Sequence, residues 1–348
     1  MSWYLEDGPS ADVILSSRVR LARNAGNYAF TSRLKEADAV KLADELSEAF
    51  FSANSAMHDH YYELDLSALT PVDRDALVEH RLISAELAER IKQNKQSPRV
   101  LLDKDESVSI MIGEEDHLRI QAMMAGLDLK TAYRRAEEVA MLFEEKVLIA
   151  WDPHFGFLTA CPTNTGTGMR ASVMVHLPGL TELKQMDNLQ KRLTAMGFAL
   201  RGNLGENSRA EGNVYQISNQ VTLGMSEQDL LQDLSNIVDQ VIDLERQARV
   251  QIQQVLGLAL DDRVFRSLGV LRHARSLPGQ EATRCLSDVA FGEEIGIIKK
   301  IGEGRVKTAM SLIGAASIQQ KIGRELDARG RDVERATAMR EIFAQYDM

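Results

Sequence analysis

The chain has 348 residues, 44% hydrophobic and 26% charged, which fits a folded protein with one large domain, or an ordinary one plus a smaller one. A net charge of −10 excludes the broad basic surface of a general nucleic-acid binder, and two cysteines exclude a disulfide framework or a four-cysteine zinc site. No apolar run is long enough to span a bilayer, and the acidic N-terminus does not read as a signal peptide, so a cytoplasmic, reducing location is expected.

In chain order, short β-like runs come first: Val13–Ser16, Tyr61–Leu66, Val100–Leu102, Ser107–Ile112, Leu118–Ala122, Gly156–Thr159, Ala171–His176 and Val214–Ser218. Helical spacing intervenes at Glu36–Phe51, Asp128–Glu145 and Thr181–Met196. Several connections are too short for helical crossovers. An α+β domain with a largely antiparallel sheet flanked by helices is therefore expected over residues 13–250. After Ser226 the strand signals stop. Ser226 with Asp229 resembles a capping box, and Leu230, Leu234, Ile237, Val241 and Leu244 recur on one face. Beyond Gly257, amphipathic stretches around Arg263–Ala274, Ala282–Phe291, Val306–Ile322 and Asp332–Tyr346 predict an all-α domain over residues 258–348.

The segment Cys161–Arg170 gathers a thiol, three threonines, two glycines and a guanidinium. Amides freed by Gly166 and Gly168 can point at phosphate oxygens, and Arg170 can pair with them as a fork. Upstream, Ser16-Ser-Arg-Val-Arg20 puts Arg18 and Arg20 on one face if the segment is extended, either to grip a polyphosphate or simply as a solvated face. Gly113-Glu-Glu-Asp-His-Leu-Arg119 reads as a solvated turn or as a carboxylate aimed at a pocket beside Arg119. It is a poor metal site, because consecutive side chains diverge. Arg201-Gly-Asn-Leu-Gly-Glu206 permits a tight loop carrying an arginine and a carboxylate. Arg18, Arg20, Arg119, Arg170 and Arg201 together offer positive charge to a triphosphate, with no P-loop or eukaryotic-type kinase signature in the chain. Two glutamates and a thiol suit a planar cationic acceptor. A guanidinium fits, once a carboxylate orients its nitrogen and accepts a proton.

Taken in order over about residues 13–225, S-x-R-V-R, x-E-E-D-H-L-R, C-P-T-N-x-G-T-x-x-R and R-G-x-x-G-E resemble the motifs of the phosphagen (guanidino) kinase family. That resemblance implies a guanido-kinase-type catalytic domain using ATP, with Mg²⁺ held mainly by the nucleotide phosphates and no protein-bound metal. It places the nucleotide on Ser16, Ser17, Arg18, Val19 and Arg20, on Arg81 and Arg119, and on Arg170, Ala171, Ser172, Val173 and Met174. Arg201, Gly202, Asn203, Leu204, Gly205 and Glu206 complete the set. It makes Glu115, Cys161 and Glu206 catalytic: the two glutamates clamp the acceptor guanidinium, and Cys161 stabilises it as a thiolate, with nearby hydroxyls and arginines lowering its pKa. Met174 and Arg81 stand where the family carries histidines, with His176 and His80 close by.

Members acting on small metabolites begin with a helical domain of about a hundred residues. Here Arg18 comes almost at the start and a helical domain follows instead, so the expected acceptor is an arginine side chain on a protein. The alternatives are a free guanidino metabolite, or a non-catalytic phosphoarginine-binding adaptor. In the helical domain, Arg331-Asp-Val-Glu-Arg335-Ala336 fits an ordinary ion-paired helix face. By resemblance, Arg331, Asp332, Arg335 and Ala336 bind phosphoarginine. The same resemblance implies protein substrates with exposed arginines, a heat-shock repressor among them, a zinc-binding activator protein, handover to the Clp protease under stress, and a homo-oligomer. It implies no nucleic-acid or membrane partner.

Overall fold

The computed structural model describes residues 3–53, 55–92, 98–202, 211–302 and 304–344. The first part of the chain builds β1 (Ile14–Arg23), α1 (Glu36–Phe51), β2 (Tyr61–Asp65), α2 (Pro71–Glu79), α3 (Ala85–Lys92), β3 (Arg99–Asp103), β4 (Val108–Ile112) and β5 (Leu118–Ala125). There follow α4 (Leu129–Glu144), the short hairpin β6 (Trp151–Asp152) and β7 (Gly156–Phe157), β8 (Met169–His176), α5 (Pro178–Glu182), α6 (Met186–Ala195), β9 (Phe198–Gly202) and β10 (Val214–Asn219). The rest is helical: α7 (Glu227–Leu256), α8 (Leu258–His273), α9 (Gly279–Glu294), α10 (Arg305–Ser311), α11 (Ala315–Ile322) and α12 (Ala328–Phe343).

Eight of the strands form one antiparallel sheet in the order β2-β3-β4-β5-β1-β8-β10-β9. Strand alternation gives it two chemically different faces. Val19 and Leu21, Ile120 and Ala122, and Ala171 and Val173 are fully buried against α4 and α7, in a core that includes Ala136, Phe143, Leu234 and Val238. The intervening residues, Ser16, Arg18, Arg20, Arg119, Arg170 and Ser172, look the other way. A one-residue slip in any of these strands would put arginines in the core.

The helices have local causes. Asp128 accepts from Thr131 N at 3.1 Å to cap α4, and Ser226 accepts from Asp229 N at 3.1 Å to cap α7, as the capping pattern implied. Gly257 ends α7, and a second hydrophobic core begins, with Leu268, Leu271, Leu286, Met339 and Phe343 at its centre. The amphipathic stretch over Val306–Ile322 is broken at Leu312–Gly314 into α10 and α11, where Gly314 starts a new helix whose first amides, Ala316 N and Ser317 N, donate to the carboxylate of Glu79. Thr181–Met196 is likewise two helices, and α2, α3 and β9 are short elements absent from the sequence-based expectations, α2 with weak apolar periodicity and α3 in spite of a clear apolar face of Leu87, Ala88 and Ile91.

The end of α7, and the helical part that follows it, meet the end of the sheet through buried polar contacts. Glu245 of α7 accepts from the amides of Gly179 and Leu180 at 2.9 Å and pairs with Arg249, which donates to the carbonyl of His176 at 3.3 Å. His176 meets the hydroxyl of Ser287 at 2.8 Å, and Asn213 donates to the same hydroxyl at 3.0 Å. Burial, then the neighbouring charge of Arg249, pushes the imidazole of His176 down to about 3, so it folds neutral. The unfolded chain protonates this group near pH 6.5, so its contribution is whole above that pH and is lost as pH falls toward 3, at about 1.4 kcal/mol per unit. Melting temperature is therefore expected to fall between pH 6.5 and 5, above the range of most carboxylates. His176→Gln should flatten that part of the profile.

Candidate active site

The sequence Gly113–Arg119 folds as a tight connection between β4 and β5 in which each consecutive side chain takes a different direction. Glu114 is buried, pairs with Arg119 at 2.6 Å and accepts from Ser84 Oγ at 2.7 Å. Glu115 points outward and lies 3.7 Å from Arg119. Asp116 accepts from the side-chain amide of Asn24 and from Ala160 N, both at 2.7 Å. His117 accepts from Ala25 N at 3.0 Å through Nδ1 and meets the carbonyl of Ala29 through Nε2 at 2.9 Å, which fixes the Nε2–H tautomer. Burial holds this imidazole below its ordinary pKa. The acidic run is thus neither a solvated turn nor a metal cluster. One carboxylate anchors an arginine, one tethers the residue before Cys161, and one borders open space.

Cys161 follows directly on that tether and sits 3.1 Å from the hydroxyl of Thr163. The loop after it is braced by Arg170. Its Nε donates to Asn164 Oδ1 at 2.9 Å, Nη1 to the carbonyl of Asn219 at 3.0 Å, and Nη2 to Thr163 Oγ1 at 3.0 Å. Gly166 has φ 115° and Gly168 φ 63°. A Cβ on Gly166 would lie 2.2 Å from Thr222 O, and one on Gly168 2.7 Å from Ala22 O. The glycines therefore let the loop close on neighbouring backbone. The expectation that both free amides for phosphate is corrected at Gly166, whose N–H donates to Phe157 O at 3.3 Å.

These elements converge on one cavity of about 200 Å³, lined among others by Arg20, Glu115, Arg119, Cys161, Arg170 and Arg201. Arg18 lies one alternation further along β1 and donates to Ser172 Oγ at 3.3 Å and Gln216 Oε1 at 2.8 Å. Burial first, then Arg20, Arg81 and Arg119, lowers its pKa well below the usual value. Arg20 is brought down to about 10 by burial and then by Arg119, with Glu114 opposing, and its buried Nε has no hydrogen-bond partner among the described residues. Mutually repelling guanidinium groups with an orphaned donor are a site arranged for a polyanion. Burial first, then Glu114 and Asp116, raises Glu115 above the ordinary carboxylate range, which suits a group that must accept a proton.

Arg81 takes the left-handed conformation, φ 63°, just past α2. The bonds Arg81 N→Val78 O and Leu82 N→Leu77 O complete a Schellman closure with arginine where glycine is usual. Gln121 Nε2 donates to the carbonyl of Arg81 at 2.7 Å, which ties it to the arginine-bearing face. Arg81, Ser16 and Met174 line a second cavity beyond Arg18.

Alternation removes other candidates from the side-chain set. Ser17 turns away and bonds Gly126 O at 2.8 Å, and Val19, Ala171 and Val173 are core. Gly202 ends β9, while Asn203, Leu204, Gly205 and Glu206 lie outside the described residues. In the helical domain, Arg335 is buried and donates to Ile313 O at 2.7 Å, Leu277 O at 2.9 Å and Asp332 Oδ1 at 2.7 Å. Arg331 donates to Leu326 O at 2.9 Å, and Ala336 is core. Three supports escaped sequence reasoning: Glu114 and Asp116, hidden in a run of acids, and Asn219, which accepts from Ala171 N at 2.8 Å and donates to Val221 O at 2.9 Å.

Comparison with known proteins gives the same chemistry a lineage. Residues 41–248 match the family model described as the catalytic domain of ATP:guanido phosphotransferases, and residues 257–348 match that of the protein-arginine kinase McsB C-terminal domain. A protein-arginine kinase of Geobacillus sp. (strain WCH70) is 42% identical over 98% of this chain and 93% of its own length. One of Bacillus cereus (strain AH187) is 39% identical over 97% and 94%. Among solved structures, lombricine kinase aligns with a TM-score of 0.59 over 71% of each chain at 23% identity. A duplicated taurocyamine kinase of Schistosoma mansoni, solved with transition-state-analogue components, aligns at 0.57 and 25% identity, over 68% of this chain and 33% of its own. The chain belongs to the protein-arginine kinases of the ATP:guanido phosphotransferase family.

Proposed function

We propose that the protein transfers the γ-phosphoryl group of ATP to the terminal nitrogen of arginine side chains in other proteins. One observation carries the reading: a carboxylate, a thiol and four guanidinium groups border a single cavity. In the reaction, an Nη atom of the acceptor arginine attacks the γ-phosphorus in line. The bond to the β,γ-bridging oxygen breaks, ADP leaves, and the proton lost by Nη passes to a carboxylate. Glu115, with Glu206 as the second member expected from sequence, orients the acceptor and takes that proton. Cys161 faces the acceptor's positive charge. Arg20, Arg119, Arg170 and Arg201 stabilise the transferring group by position and charge, since phosphoryl transfer asks for little covalent chemistry. Mg²⁺, held mainly by the nucleotide phosphates as the family resemblance implies, would supply further positive charge there. Among the described residues no group of three or more His, Cys, Asp or Glu side chains is placed to hold a metal ion.

The finer readings rest on the family resemblance: a cytoplasmic location, a homo-oligomer, handover of marked proteins to the Clp protease, and phosphoarginine recognition around Arg331 and Asp332. Among the described residues no helix is long and apolar enough to cross a membrane. The test is incubation with MgATP and either an arginine-containing protein or free arginine, followed by mass spectrometry under handling that avoids acid. Acid-labile phosphate on protein arginine is the expected product. Phosphate on free arginine alone would overturn the choice of acceptor, and no phosphoarginine at all would leave only a binding protein.

A further inference from the structure

A second cavity, of about 480 Å³, opens at the far end of the arginine-bearing face. Strand register ties it to the first. In the β1–β8 pairing Arg20 faces Arg170, Arg18 faces Ser172, and Ser16 faces Met174. Four residues of strand, about 13–14 Å at roughly 3.4 Å each, separate the Arg20–Arg170 pair in the first cavity from the Ser16–Met174 pair in the second. Arg18 stands between them. An extended ligand with a polyphosphate at one end and an uncharged group at the other matches this path.

The wall opposite the sheet comes from the helical domain. Met123 and Met174 line the cavity from the sheet, and Met310 and Ile313 line it from α10 and the turn after it. Apolar, adaptable side chains contributed to one cavity by both domains suit the faces of a flat heteroaromatic ring. At this cavity the two walls are clasped chiefly by one carboxylate, beside a contact of His80 Nε2 with Ser317 Oγ at 3.2 Å. Glu79, the last residue of α2, accepts from Ala316 N at 2.9 Å, Ser317 N at 2.7 Å and Ser317 Oγ at 2.6 Å, so it caps α11 across the domain boundary. A Cβ on Gly314 would fall 1.9 Å from that carboxylate, so the chain there has been kept clear for it. Arg81 follows Glu79 by two residues, and Ile313 precedes Gly314.

We infer that the helical domain forms one wall of the nucleoside pocket, so that the base of the nucleotide is held between the two domains, and that Glu79 is the positioning residue that keeps this wall in place. The inference rests on the reading of the first cavity as a triphosphate site. It makes nucleotide affinity a property of both domains, and it separates the recognition of a nucleoside from the recognition of its phosphates.

The experiment compares binding of ATP and of inorganic tripolyphosphate, each with Mg²⁺, to the full chain by isothermal titration calorimetry. The proteins are the wild type, Met310→Trp, which fills the cavity, Glu79→Ala, which removes the clasp, and Glu79→Gln, whose amide oxygen can still accept one bond from α11. ATP is expected to bind the wild type more tightly than tripolyphosphate by about tenfold or more. Met310→Trp and Glu79→Ala should each lose about that factor for ATP and keep their tripolyphosphate affinity, with Glu79→Gln in between. In turnover, Glu79→Ala should raise KM for ATP while kcat at saturation holds. Unchanged ATP affinity in both Met310→Trp and Glu79→Ala would overturn the inference and leave the phosphate site standing. Parallel loss of both ligands would also overturn it, by showing that the joint merely supports the fold. Failure of the wild type to bind tripolyphosphate would instead remove the triphosphate reading on which it rests.

Discussion

Glu115→Gln is expected to lower phosphoryl transfer to protein arginine by about 10²–10⁴-fold while leaving ATP affinity within about twofold of wild type. The two side chains have nearly the same shape, so the cavity keeps its form. What is lost is the charge that orients the acceptor guanidinium and the oxygen that takes its proton. Glu114 cannot substitute, because it is buried and committed to Arg119 and Ser84. The sequence gives Glu206 the same expectation under Glu206→Gln. The pH profile supplies an independent readout. Burial, Glu114 and Asp116 hold the carboxyl of Glu115 above the ordinary range, so the active, ionised form is lost as pH falls through this raised value. The acid limb of kcat/KM should therefore lie above the usual carboxylate range in the wild type and disappear in Glu115→Gln. Equal loss of catalysis and ATP binding would show that Glu115 holds the site together rather than serving the acceptor.

How much of this was readable beforehand depends on whether a residue's task is set by local pattern or by a distant partner. Arg18 and Arg20 were legible because strand alternation alone puts them on one face, and the structure keeps them there, whereas Arg170, the last residue of the loop motif, lies inside β8 and pairs in register with Arg20. Cys161 and Glu115 could be singled out by type, but not brought together. Their meeting depends on Asp116 reaching Ala160 across 44 residues of chain, and no periodicity encodes that. Ser17 and Val19 show the opposite failure. A continuous motif suggests contact along its whole length, whereas the pleat gives every second side chain to the core. The break between α10 and α11 was hidden for a related reason. Val306–Ile322 has continuous helical spacing, and the carboxylate on α2 that caps the new helix after Gly314 lies 237 residues away from Ala316 in sequence. The i,i+3 spacing of Asp332 and Arg335 makes their ion pair legible, and the structure keeps it at 2.7 Å. The two carbonyls that bury Arg335 come from loops 22 and 58 residues away.

Arg20→Ala is expected to separate stability from function in the sharpest way. Arg20 is held near other guanidinium groups, depressed to about 10 by burial and Arg119, with a buried donor that has no hydrogen-bond partner among the described residues. A cation whose folded pKa is depressed weakens the fold at neutral pH, where it must stay charged, here by on the order of 1–3 kcal/mol after allowance for solvent. Removing it should therefore leave the melting temperature without nucleotide unchanged or higher, once the loss of its buried stem is set against the relief. The same change removes a charge that the transferring phosphoryl group needs, so kcat should fall by about 10²–10³-fold. The stabilisation that the wild type gains from saturating ATP should shrink with it, because bound phosphates are what offset the repulsion in this cluster. Arg20→Lys should recover part of the ATP-induced stabilisation but little of the rate, since an ammonium supplies charge without the planar fork that fits two phosphate oxygens at once. If Arg20→Ala melted well below wild type in the absence of nucleotide, the arginines would be supports of the sheet rather than a cluster waiting for an anion. If its kcat were unchanged, the polyphosphate would have to be gripped elsewhere.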